Sequence, residues 1–221
     1  MAIIETKGLS KIFHTGGKEV TALDNVDLNI QKNDFALIKG PSGCGKSTLL
    51  FAMGGLLNPS AGAVRVSDRE MYSLSEKERL KYRSRVIVFV FQSYYLLPYL
   101  SVSENIMLLN KVDGINVTKE EVIKIAERLN IHQRLEHLPS ELSVGEKQRT
   151  SLARALVVKP SIILADEPTG NLDPENAAEV IRYLYEFREQ GGTVVMVTHG
   201  TDADKYATRH INMKEGRVGE L

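Results

Sequence analysis

Residues 40–48 read GPSGCGKST and follow directly on the apolar run FALIK at residues 35–39. Gly40, four further residues, then Gly45, Lys46 and Ser47 is the full spacing of a phosphate-binding P-loop, set between a strand and a helix. Glycines at these points let backbone N–H groups turn inward toward an anion without side-chain clash. A helix that starts near Gly45 aims its positive end at the same place. Pro41, Ser42, Gly43 and Cys44 complete the loop. Lys46 can reach the β- and γ-phosphates of a nucleoside triphosphate, Ser47 can ligate Mg²⁺, and Thr48 adds a neighbouring hydroxyl. This stretch therefore specifies a triphosphate and an α/β fold around it, but not what the energy is used for.

Working outward, residues 2–8 and 20–30 read as strands. In the second, Val20, Ala22, Val26, Leu28 and Ile30 alternate with polar residues, with a slip near Asp24 and Asn25 that predicts a bend or bulge. STLLFAMGGLL continues the loop as an apolar helix ending at Gly54 and Gly55, and GAVRV returns as a strand. VIVFVF (86–91), IILAD (162–166) and TVVMVTH (193–199) are continuous apolar runs, expected of parallel strands buried on both faces. Between about 101 and 158 the pattern is helical. Thr118 and Glu121 form a capping box, and Val122, Ile125, Ala126 and Leu129 follow at helical spacing. A second helix is expected from about Ser143 to Val158. A third starts at Asp173 and Pro174, with Val180, Ile181, Leu184 and Phe187 on one face, and stops at Gly191 and Gly192.

SIILADEPTGNLD (161–173) supplies a second half-site: an apolar strand ending in two acids. Such a strand carries Asp166 and Glu167 to the carboxyl edge of the sheet, beside the phosphate loop. Asp166 is placed to hold Mg²⁺, directly or through water, and Glu167 to polarise an attacking water.

On these residues the chain resembles the ATPases of ABC transporters. ELSVGEKQRTSLARAL (141–156) is similar to their signature segment, Gln92 in VFQSYYLLP to the Q-loop glutamine, GNLD (170–173) to the D-loop, His199 in VMVTHG to the switch histidine, and Phe13 to the aromatic that stacks on adenine. The resemblance covers essentially the whole chain, with the motifs in order. It implies one ATPase domain over residues 1–221: a RecA-like P-loop NTPase core with an N-terminal antiparallel β part (1–92 and 159–221) and an inserted α-helical subdomain (about 93–158). It further implies two copies sandwiching two ATPs. Lys46, Ser47 and Asp166 hold Mg-ATP, Gln92 touches the metal, Glu167 activates water and His199 orients the γ-phosphate. Ser143, Gly145 and Glu146 act in trans on the other copy's ATP. FVFQSYYLLPYLSVSENI and LADEPTGNLD are most similar to the lipoprotein-releasing, macrolide-efflux and FtsE-like group, with haem-export and antimicrobial-peptide-resistance ATPases close by. The implied role is powering export or extraction of lipoprotein, drug, peptide or haem, or else switching a membrane partner without transport. The implied site of action is the cytoplasmic face of the membrane, with a permease docked near residues 92–100.

One position departs from the family's usual Leu-Ser-Gly-Gly-Gln, since here Leu142, Ser143, Val144, Gly145 and Glu146 stand in its place. Ser143 and Glu146 make a capping box, so a helix N-terminus facing an anion is kept. A β-branched residue and a carboxylate near the phosphate are expected to weaken closure on ATP. Bulk properties agree with the rest. The 221 residues carry 28 Lys and Arg against 28 Asp and Glu, and no basic run marks a nucleic-acid binder. No apolar stretch reaches the ~18 residues of a membrane span, and no secretion signal is evident at the start. The one cysteine, Cys44, has no disulfide partner. Long coiled coils, zinc modules and a second P-loop, the marks of related ATPases of DNA repair or translation, are missing.

Overall fold

The computed structural model describes residues 1–112 and 114–220. In chain order the elements are β1 (Ala2–Thr15), β2 (Lys18–Gln31), β3 (Phe35–Lys39), α1 (Lys46–Met53), β4 (Ala61–Val66), β5 (Arg69–Glu70), α2 (Glu76–Val86) and β6 (Ile87–Phe91). Then come α3 (Val102–Ile106), α4 (Lys119–Arg128), α5 (Val144–Leu156), β7 (Ile162–Asp166), α6 (Pro174–Glu189), β8 (Thr193–Val197), β9 (Arg209–Lys214) and β10 (Arg217–Glu220), with short 3₁₀ turns among the helices.

Two sheets organise the chain. The first is antiparallel, in the order β2-β1-β4-β5. Its hairpin is longer than the alternation predicts, because Gly16 and Gly17, with φ of 58° and 77°, close a two-residue turn that lets both strands run to its edge. The slip is there: Leu9 pairs with Val26 but Lys11 with Leu23, so an extra residue bulges at Asp24 and Asn25, and Asn25 takes φ 49°. The bulge moves burial onto Leu23 and leaves Val20 54% exposed, a correction to the simple alternation.

The second sheet runs β10-β9-β3-β8-β7-β6, parallel except for β10. Residues alternate between its two faces. Phe35, Leu37, Val90, Ile163, Ala165, Val194 and Met196 meet the helices α3 to α6. Ala36, Ile38, Ile162, Leu164, Val195 and Val197 meet α1 and the inner face of the antiparallel sheet. Both faces are dry, which is why these strands read as unbroken apolar runs, and each large side chain so buried contributes about 1.5–3 kcal/mol.

Caps set the helix starts. Glu121 N donates to Thr118 Oγ1 at 3.3 Å and Thr118 N to Glu121 Oε2 at 3.1 Å. Asp173 Oδ1 accepts from the N–H groups of Glu175 and Asn176, both at 3.1 Å. Helix α2 and strands β9 and β10 carry no strong pattern in the sequence. Helix α2 buries no residue and so shows no apolar stripe; only its Ser75–Glu78 capping box signals it. Strands β9 and β10 join through Glu215 and Gly216, with φ of 49° and 78°, and bury only Ile211 and Met213 on one side. Between Val102 and Leu156 the described residues contain helices and turns, without a strand. Asn105, fully buried, pins the preceding loop there by accepting from Leu97 N at 2.8 Å and donating to Leu97 O, Leu100 O and Ser101 O.

Candidate nucleotide site

Strand β3 ends at Lys39 and α1 begins at Lys46, so the six residues between them form the loop at the carboxyl edge of the parallel sheet. Gly45 has φ 105°, and no side chain caps α1, so none competes with an anion for the first helical N–H groups. A Cβ on Gly45 would stand 2.2 Å from the Ala22 carbonyl, and one on Gly40 2.0 Å from the Met213 carbonyl. These two glycines are thus demanded by neighbouring backbone as well as by turn geometry. Gly43, at φ 76°, faces open space, and Pro41 and Ser42 are exposed. Cys44 is buried, and its carbonyl accepts from Gly216 N at 3.0 Å. Lys46 is only 6% exposed, and its ammonium donates to Gly40 O at 2.9 Å and Pro41 O at 3.0 Å, folded over the loop's mouth. Phe13 lies near the hairpin tip with the Lys11 ammonium 5.1 Å from its ring centroid.

Strand β7 brings Asp166 to the same edge. Ser47 Oγ donates to Asp166 Oδ1 at 2.8 Å. Burial pushes the Asp166 carboxyl up from its ordinary value, and the Ser47 hydroxyl and Lys46 ammonium draw it partly back. A hydroxyl and a carboxylate in contact are hard oxygen donors of the kind that suits Mg²⁺. Gln92 leaves β6 one residue beyond the Phe91–Asp166 pair, and its amide nitrogen donates to Asn171 Oδ1 at 3.2 Å. Of the three candidate metal ligands, Ser47 and Asp166 are therefore in mutual contact, and Gln92 is held on the GNLD turn.

Glu167 sits in a left-handed turn, φ 48°, pinned by its N–H to Val197 O at 3.0 Å and by Gly170 N to its carbonyl at 3.1 Å. Its Oε1 is buried and accepts no hydrogen bond. His199 Nε2 is 3.2 Å away, close enough for an ion pair when protonated, but it approaches off the hydrogen-bond direction. A buried carboxylate oxygen lacking a donor is costly as scaffolding and useful for polarising an incoming water.

The signature segment starts α5. Ser143 Oγ accepts from Glu146 N at 3.2 Å, and Ser143 N donates to Glu146 Oε2 at 2.7 Å. Glu146 also accepts from Arg134 Nε at 2.8 Å. Burial pushes this carboxyl up, but the bonds from Ser143 and Arg134 outweigh that and hold it down at about 2. The Glu146 carboxylate is thus held by the Ser143 N–H, as the capping box predicts, and also by the Arg134 guanidinium. A Cβ on Gly145 would lie 2.2 Å from Asn176 Oδ1, so any side chain there would push the Asn176 amide off its bond with Arg149. Val144 is 47% exposed at the first helical position. None of the hydrogen bonds described for Ser143 and Glu146 reaches the phosphate loop.

In the loop after Gln92, the apolar residues divide. Leu96 packs on the core, whereas Tyr95 and Tyr99 are 65% and 72% exposed. Arg154 of α5 holds this loop by donating to the carbonyls of Tyr94 and Tyr95, both at 2.8 Å. A cavity of about 950 Å³ lies elsewhere, lined by Lys32, Pro160, Ser161 and Gly192 among others, at the amino edge of β7 and β8, away from the phosphate loop, Asp166 and Glu167.

Comparison with known proteins decides the family. Residues 23–170 match the family model for the ABC transporter. The family is that of ABC transporter ATPases. The lipoprotein-releasing system ATP-binding protein LolD of Myxococcus xanthus is 39% identical over 224 residues, covering 100% of both chains. The macrolide export ATP-binding/permease protein MacB of Chlorobaculum tepidum is 40% identical over 217 residues, and the chain spans only 33% of its length. Among solved structures, a dimeric bacterial ABC transporter cassette matches with TM-score 0.91 and 34% identity, covering 99% of this chain and 98% of that one. A cassette dimer in a post-hydrolysis state, bound to ADP and Pi, matches with TM-score 0.89 and 36% identity.

As an ABC transporter ATPase, the chain binds and hydrolyses nucleotide for a membrane transporter on a RecA-like α/β core. Among its described residues no helix is long and apolar enough to cross a membrane. The motifs name the candidate site residues but not the pairings that hold them: Asn171 on Gln92, Arg134 on Glu146, and Arg154 on the carbonyls of Tyr94 and Tyr95. Each is a single polar residue whose partner is distant in sequence, so no local pattern signals it.

Proposed function

We propose that this ATPase acts as one of two like subunits beneath a membrane permease, at the cytoplasmic face, and powers export or extraction of a lipoprotein, drug, peptide or haem-type substrate. In each site Phe13 stacks on adenine, residues 40–48 wrap the phosphates, and Lys46 neutralises the β- and γ-phosphates. Ser47 and Asp166, with Gln92, would hold Mg²⁺, which would supply neutralising charge to the phosphates. Glu167 takes the proton of the attacking water, and His199 orients the γ-phosphate. Ser143, Gly145 and Glu146 of the second copy close the site with a helix N-terminus. The observation that carries this reading is that one chain builds both a phosphate loop and a capped, uncommitted helix N-terminus, and does not bond them to each other. Substrate class follows from the likeness to the lipoprotein-releasing and macrolide-export proteins. The test is size measurement of the Glu167→Gln variant: monomeric without nucleotide and dimeric with ATP. An equally stable dimer with and without ATP, or a monomer in saturating ATP, contradicts it.

Two further outcomes follow. Tyr95 and Tyr99 form the surface proposed for a cytoplasmic helix of the permease. Changing both to Ser is expected to lower transport at least about tenfold, a loss of ~1.4 kcal/mol or more, as when interface aromatics are truncated. Basal hydrolysis by the isolated subunit should stay near normal. Equal loss of both activities places these residues in the fold and not in coupling. At the signature, Arg134→Gln leaves the Glu146 carboxylate uncompensated and is expected to weaken ATP-driven dimerisation a few-fold. The paired change Val144→Gly with Glu146→Gln should strengthen it by a similar factor. A weaker dimer in the paired variant means that the capping box matters more than the charge.

A further inference from the structure

We propose that Gln148 is a positioning residue for Glu167, fastening the turn that carries the carboxylate to the helix that begins at the signature segment. This inference rests on the roles given above to Glu167 and to the N-terminus of α5.

Gln148 lies one turn into α5, after Val144, Gly145 and Glu146, and is fully buried. Its Nε2 donates to the Pro168 carbonyl at 2.6 Å, while its Oε1 accepts nothing. A buried amide with one group unsatisfied costs stability that an apolar residue of similar shape would not. The bond to Pro168 is what Gln148 provides in return. Pro168 directly follows Glu167, whose left-handed φ of 48° is unusual for a residue with a side chain. Such a conformation persists only where surroundings over-determine it. Here the determinants are the Val197 carbonyl, the Gly170 N–H and the Gln148 amide. The first two come from the sheet and from the turn itself; only Gln148 comes from another layer.

The next residue ties the same helix on its other side. Arg149 donates to Asn176 Oδ1 at 2.8 Å and to Glu179 Oε2 at 3.1 Å, and its buried Nε has no acceptor. Asn176 in turn donates to Asp173 Oδ2 at 2.6 Å, at the end of GNLD. The three orphaned buried atoms of the described residues are on Gln148, Arg149 and Glu167. In this proposal, contact of the signature end with the other copy's phosphate is transmitted along α5, and the Gln148–Pro168 bond carries it to this chain's own Glu167. One copy's capture of ATP then sets the other site's base.

The experiment uses the full chain and compares Gln148→Leu, Gln148→Glu and Glu167→Gln. Folded Gln148→Leu should keep KM for ATP within about twofold and lose at least about tenfold in kcat, the split expected when an interaction matters in the transition state. Gln148→Glu should be poor at pH 8 and recover toward pH 6, because only a protonated carboxyl can donate to the Pro168 carbonyl and burial raises its pKa; the wild type should show no such rise. Wild-type kcat in folded Gln148→Leu, or a Gln148→Glu pH profile parallel to wild type, overturns the proposal. Where Gln148→Leu does not fold, the Gln148→Glu profile decides. An active Glu167→Gln sinks the general-base reading itself; an inactive Glu167→Gln beside a fully active Gln148→Leu sinks only this inference.

Discussion

Glu167→Gln is expected to keep ATP binding while turnover falls by a factor on the order of 10²–10⁴, the range for loss of a general base. The amide is isosteric, so the left-handed turn and its bonds to Val197 and Gly170, both made by backbone, remain in place. What is lost is a buried carboxylate oxygen that accepts no hydrogen bond in the protein and is therefore available to a water. In the proposed site the amide also removes a negative charge near the γ-phosphate, so the variant should dimerise more readily with ATP. The measurement is steady-state phosphate release beside ATP binding at equilibrium. Hydrolysis at the wild-type rate would assign the catalytic carboxylate elsewhere.

Lys46→Ala is expected to weaken ATP binding by about ten- to a hundredfold, since a hydrogen bond to a charged partner is worth about 1.5–3 kcal/mol. Lys46 is 6% exposed, and its ammonium rests on two loop carbonyls, Gly40 and Pro41, poised at the loop's mouth. Shortening the side chain leaves the backbone path intact, because that path is set by Gly45 at φ 105° and by contacts with Ala22 and Met213. Titration with a fluorescent nucleotide checks it. Unchanged affinity, with the fold intact by circular dichroism, would show that Nζ does not reach the phosphates.

The two expectations draw on different kinds of information. The phosphate loop, the strand ending in Asp166 and Glu167, and the helix starts at Thr118, Ser143 and Asp173 are local: each is specified by residues within a few positions, whose turn, cap or strand chemistry needs no distant partner. All of these were legible in order along the chain, and so was the alternation slip that became the bulge at Asn25. Helix α2 and strands β9 and β10 were not. The first has no apolar stripe, and the others show too little alternation to stand out until Met213 and Gly216 close on the phosphate loop.

What sequence alone determined was the phosphate-loop spacing, the pair of acids closing an apolar strand and the α/β character of the chain, because all three depend on short-range patterns. Tertiary structure decided which charges stand bare and which are compensated. Glu146 reads as an exposed liability until Arg134 is found against it, and Tyr95 and Leu96 are indistinguishable as neighbours until one faces solvent and the other the core. It also decided why Gly40 and Gly45 are glycine, through the Met213 and Ala22 carbonyls approaching from elsewhere in the fold. Side-chain pairing and close approach depend on where distant segments arrive, and that is set by burying both faces of the parallel sheet at once, a property of the whole chain.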